Sequence, residues 1–280
     1  MTPPAHEIGI GATGEFSLRV SVAALVRVLF IHPDHDELML ALERKATLHR
    51  TEDGESVRVK AQPFGGGLRI SDLDTVHDLV GGFQFDSERS RTERDFRIFI
   101  RPLAWPALRE FCVQHIGRNN DVVFETSPAR ELTEEFAETL GIDLKPEQYV
   151  CKPLKIMVEN RVATTDNMYA RGTPTVRIYR TYEAGITDVL LARTMLKRSA
   201  SLSHQSFSEL ALADAQGGGR GKANAILTLP WERLQRVYRE MSQAERNAPI
   251  MFEDNRLDST VAAILEKIAV PRYQNVLSLK

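Results

Sequence analysis

Glu131, Glu134, Glu135 and Glu138 fall three and four residues apart in the segment Arg130–Leu140, the spacing that brings side chains together on one helix face. Like charges crowded this way cost only about 0.2–0.5 kcal/mol per exposed pair, so a merely solvated acidic face is the plain alternative. Carboxylate oxygens at this density also suit hard divalent cations, and Mg²⁺ binds them together with phosphate oxygens and water. An ion held there would polarise a phosphoryl group and lower the pKa of an attacking water.

Such chemistry needs a rigid support, and the segment has clear boundaries. Ser127 suits the N-cap, Pro128 the first helical position and Gly141 the C-cap, while Leu132, Phe136 and Leu140 form a buried stripe opposite the acids. Upstream, Gly65-Gly66-Gly67 follows Pro63-Phe64 between hydrophobic strands. A triple glycine there has an entropic penalty and permits close approach of a ligand or of the acidic helix.

The remaining segments read as a mixture of strands and helices. Val20–Ile31 is a long apolar strand, Leu38–Leu42 returns after the Pro33–Asp36 turn, and Val57 and Val59 alternate with charges. Leu73–Leu79 and Trp105–Ile116 suggest helices flanking a strand at Phe96–Ile100. Further strands are expected at Thr175–Glu183 and Ala225–Leu229, and helices at Thr187–Arg198, Ser206–Ala215, Pro230–Met241 and Leu257–Ile268. The expected organisation is an irregular arm over 1–17, a domain over 18–242 interrupted by an insertion at about 71–120, and a helical extension over 243–280.

Arg130-Glu131-Leu132-Thr133-Glu134-Glu135 resembles the central run of the Nudix hydrolase signature, and the preceding strand–strand–Pro-Phe-Gly-Gly order is similar to the approach to the Nudix helix. The resemblance implies an α/β fold, a Nudix-like α/β/α sandwich with a curved mixed sheet, with the insertion lying between the glycine loop and the catalytic helix. It implies that Glu131, Glu134 and Glu135 hold Mg²⁺ or Mn²⁺ against a diphosphate and that Arg130 orients a carboxylate by an ion pair. Gly65, Gly66, Gly67 and Arg177 would face the nucleotide-like small molecule. Glu125 and Glu159 are alternatives for the general base. The expected reaction is water attack on phosphorus in a nucleoside diphosphate derivative. The signature's earlier glycine and glutamate fall at Ile116 and Val122, and its later glycine at Ala137. These departures leave open a catalytically degenerate nucleotide-binding or protein-interaction module, because a fold can outlast its chemistry.

Composition narrows the partners. With 36 Lys+Arg against 38 Asp+Glu the formal net charge is -2, which argues against a bulk-basic nucleic-acid binder. Arg89, Arg91, Arg94 and Arg97 form a local cluster, but Glu88, Glu93 and Asp95 interleave with it, so internal pairing competes with phosphate binding. Cys112 and Cys151 make no disulfide framework or zinc set, the seven histidines lack metal-ligand spacing, and no Gly-x-Ser-x-Gly elbow occurs. The apolar run Val20–Ile31 is too short and too charged to span a membrane, and no secretory signal is evident, so a cytoplasmic setting is expected. A homodimer is kept open.

Overall fold

The computed structural model describes residues 9–51, 54–165, 170–200, 204–219 and 221–279. The strands are β1 Leu18–Ile31, β2 Leu38–Thr51, β3 Gly54–Gln62, β4 Arg69–Ile70, β5 Gln84–Phe85, β6 Arg97–Ile100, β7 Phe124–Glu125, β8 Tyr149–Glu159, β9 Ala163–Thr164, β10 Pro174–Ile186, β11 Lys222–Pro230, β12 Ile250–Phe252, β13 Asn255–Leu257 and β14 Tyr273–Ser278. The helices are α1 Leu73–Val80, α2 Glu88–Glu93, α3 Trp105–Ile116, α4 Ala129–Leu140, α5 Val189–Ala200, α6 His204–Gln216, α7 Trp231–Glu240 and α8 Thr260–Ile264.

The apolar run of β1 is buried on both faces, as a central strand requires. One edge of β1 pairs in parallel with β10 from Arg19–Thr175 to Leu29–Gly185. The other edge is shared by three partners. Antiparallel β2 covers Val28–Ile31 and β6 covers Leu18–Ser21. Between them lies the glycine loop: Val26 N donates to Phe64 O, Ala24 N to Gly66 O, and Leu68 N to Val22 O. The loop is thus ordered as part of the sheet.

The sheet runs β12-β13-β3-β2-β1-β10-β8-β14, with β11 on β2. It is mixed and open, with its ends β12 and β14 at opposite limits of the strand order. The curved sheet of a Nudix-like α/β/α sandwich is therefore corrected: β8 and β14 extend the sheet beyond β10, and among the described residues no pairing returns β14 toward β12. The C-terminal extension also differs from the helical expectation. Within Leu257–Ile268 only Thr260–Ile264 is helical, and β13 and β14 instead join β3 and β8. Within residues 71–120, β6 pairs with β1 in the main sheet.

One core cluster packs α1, α3, α4 and α5 against Val20, Val22, Ala24 and Val26, and a second packs α7 and α8 against Ala23, Leu25 and Leu29. The alternation along β1 therefore separates two faces, and α4 lies on the first. Cys112 is buried and Cys151 half-buried, both free. Among the described residues, no helix is long and apolar enough to cross a membrane.

Candidate functional site: the glutamate cleft

Helix α4 begins at Ala129, one residue after the expected start, with Ser127 Oγ accepting from Ala129 N at 3.3 Å. Gly141 closes it in the left-handed conformation, φ 64°. Leu132, Phe136 and Leu140 are buried, and the Phe136 ring lies 5.0 Å from Phe64, the residue before the glycines. This contact sets the opposite, acidic face of α4 over the loop.

The three glycines are needed for that approach. At Gly65, φ is +130° and a Cβ would collide with Ala24 O, while at Gly66 a Cβ would fall on the Glu131 carboxylate. At Gly67 a Cβ would stand 3.0 Å from Asp95 Cγ. Backbone bare of side chains therefore lets two carboxylates and a strand converge. Gly65 N donates to Glu135 Oε2 at 2.5 Å.

Glu131, Glu134, Glu135 and Glu138 all line a cleft of about 250 Å³ with Gly65, Gly66, Lys45, Arg89, Glu93, Asp95, Arg97, Lys222 and Asn224. Six acidic and four cationic side chains line it. Arg130 gathers three acids: Nη2 lies 2.7 Å from Glu131, Nη1 3.4 Å from Glu134, and Nε donates to Glu125 at 3.2 Å. Its Nη2 also donates to Gly67 O at 3.2 Å. Arg130 thus stands between Glu125, Glu131 and Glu134 at the edge of the cleft.

Lys45 enters from β2, with Nζ 2.5 Å from Glu43 Oε2 and 3.6 Å from Glu135 Oε1. Burial works against its charge, but Glu43 and Glu135 outweigh that and raise its pKa. Burial raises Glu135 well above the ordinary carboxylate range, with Glu43 adding to the effect. Burial pushes Glu131 up to about 7 against the pull of Arg130. Asp95 is raised by burial too, and its Oδ1, like Glu43 Oε1, is buried without a hydrogen-bond partner among the described residues. Burial thus favours the protonated, neutral form of these carboxyls in this cleft.

Three expected site residues stand elsewhere. Arg177 is not on the cleft: it alternates with Tyr179 of the second core cluster and pairs with buried Glu159 at 3.1 Å, on the sheet face away from α4. Glu159 is held there by Arg177 and Arg272, which removes it as a general base for the cleft. Glu125 is bound by Arg130 and rims a neighbouring pocket instead. Sequence reasoning missed Glu43, Lys45 and Asp95. The alternation Ala41-Glu43-Lys45 on one face of β2 was the available signal.

Among the described residues, no group of three Asp, Glu, His or Cys side chains is arranged to hold a metal ion. Comparison with protein-family models, curated proteins and solved structures finds no match to this chain.

Proposed function

We propose that the glutamate cleft is the active site of a Nudix-type, metal-dependent hydrolase that cleaves a diphosphate linkage in a nucleoside diphosphate derivative by water attack at phosphorus. One observation carries the reading: the Glu131, Glu134 and Glu135 face closes on Gly65-Gly66 in a cleft lined by six acidic side chains. Carboxylate oxygen is the donor type a hard cation such as Mg²⁺ or Mn²⁺ takes. Among the described residues these side chains are not drawn around one point, so binding such an ion would require Glu131, Glu134 and Glu135 to move together. Glu131, Glu134 and Glu135 would hold it, and when bound it supplies charge to the phosphoryl oxygens and acidity to a water. Arg130 fixes the orientation of Glu131 and Glu134, and Lys45 that of Glu135. The Arg130-Glu131-Leu132-Thr133-Glu134-Glu135 resemblance supports the same assignment.

A second reading has its own observation. Lys45 already sets a fixed cation between Glu43 and Glu135. On that reading the chain is a catalytically degenerate nucleotide-binding or protein-interaction module. Screening nucleotide sugars, dinucleotides and nucleoside triphosphates for Mg²⁺-dependent product release, alongside Mg²⁺ calorimetry, separates the two. Hydrolysis with metal binding supports the first, whereas nucleotide binding without either supports the second.

A further inference from the structure

Beside the glutamate cleft lies a second pocket of about 450 Å³, lined by Arg69, Ser71, Arg94, Asn120, Asp121, Phe124, Glu125, Thr126 and Ser127. Its two arginines are exposed and come from adjoining backbone, since Ile70 N donates to Arg94 O at 2.8 Å. In the arginine cluster around them, Arg89 pairs with Glu93, Arg91 with Glu88 and Arg97 with Asp95. Arg69 and Arg94 have no ion-pair or side-chain hydrogen-bond partner among the described residues.

The pocket's acids are already engaged. Asp121 accepts from Val123 N and Phe124 N and lies 2.9 Å from His115 Nδ1, and Glu125 is held by Arg130. Two non-glycine residues of the lining take left-handed backbone, Arg94 at φ 56° and Asn120 at φ 58°. Such conformations persist where surrounding structure enforces them. Here Arg180, itself buried, anchors the loop before Asn120 by donating to Arg118 O at 2.7 Å and Asn119 Oδ1 at 2.8 Å.

We infer that this pocket is an anion subsite that takes a phosphate group on the guanidinium pair of Arg69 and Arg94. Two planar guanidinium forks match the several oxygens of a phosphate dianion, and Ser71, Asn120 and Ser127 add neutral polar groups to the lining. Arg130 links this pocket to the glutamate cleft, with Nε on Glu125 and Nη2 on Glu131. A substrate reaching across Arg130 would set a second phosphate here, beyond the linkage being cut. That role in substrate choice rests on the hydrolase reading; phosphate binding does not.

The test is calorimetric titration of the full chain with inorganic phosphate at low ionic strength in EDTA, so that divalent cations play no part. Wild type should bind phosphate saturably at one site. Arg69→Gln and Arg94→Gly, the latter chosen because glycine accepts the positive φ, should each weaken binding by roughly tenfold or more with unchanged thermal unfolding. Glu131→Gln should leave the affinity within about twofold. No saturable binding in wild type, binding that survives both arginine substitutions, or binding altered chiefly by Glu131→Gln overturns the subsite. Phosphate binding as expected without any Mg²⁺-dependent hydrolysis keeps the subsite and removes the hydrolase reading, and the reverse pattern removes only the subsite.

Discussion

Gly66 and Glu131 occupy a shared space: a Cβ on residue 66 would fall on the Glu131 carboxylate, which Arg130 holds in place at 2.7 Å. Gly66→Ala is therefore expected to displace Glu131 while the backbone stays put. Overpacking of this kind costs about 1–3 kcal/mol. Gly65→Ala should cost more, because its Cβ meets the Ala24 carbonyl and its φ of +130° is forbidden to alanine. Urea unfolding of the two variants checks the order, and a Gly66→Ala protein less stable than Gly65→Ala would contradict it.

The pH dependence of stability follows from Glu131. Burial raises its pKa from 4.5 to about 7 in the folded chain. The folded state therefore holds this proton more tightly than the unfolded state, so the group's contribution is complete below about pH 4.5 and is lost as pH rises through 7. Metal-free protein should lose on the order of 3 kcal/mol from this group between those limits. Denaturant titrations across that range should show a flatter profile for Glu131→Gln; identical slopes for the two proteins would argue against a buried, raised carboxyl.

Lys45 is the cation between Glu43 and Glu135. Glu43 has no solvent exposure, so Lys45→Met leaves its charge buried and uncompensated. Breaking a buried pair costs about 3–5 kcal/mol, and the partial exposure of Lys45 lowers the expectation to roughly 2 kcal/mol or more at pH 8. The penalty should be smaller at acid pH, since burial raises Glu135 above the ordinary carboxylate range and a protonated carboxyl does not need the Lys45 charge. Thermal unfolding of wild type and Lys45→Met across the pH range measures it, and equal stability of the two at pH 8 would contradict it.

Local patterns made α4 legible in the sequence. The period-four stripe, the C-cap glycine and the acids three and four apart fixed one helix and both of its faces. Trp105–Ile116 was equally readable from its apolar spacing and terminal Gly117. What lay beyond reach was non-local. Sheet curvature depends on which strands meet at the edges, and no pattern within a strand reports that. Glu43 and Lys45 read as polar residues past the end of a strand, yet β2 continues to Thr51 because β3 and β11 flank it on both sides. Arg177 lay on a strand near the right position in the chain, but the two-residue alternation of β10 turns it to the far face. Asp95 was counted only as a partner for arginines. Its place in the cleft depends on the backbone of residues 95–97 docking against β1 and the glycine loop.

Mg²⁺-dependent turnover of wild type and Glu135→Gln tests the central claim most directly. Gln keeps the size of Glu135 and an oxygen able to accept from Gly65 N, but removes the charge offered to a hard cation. With a substrate found by the screen, saturating Mg²⁺ and matched folded protein, turnover should fall by roughly 10²-fold or more, about 2.7 kcal/mol of barrier. Equal turnover in the two proteins would contradict the assignment of the glutamate cleft as a metal-dependent active site.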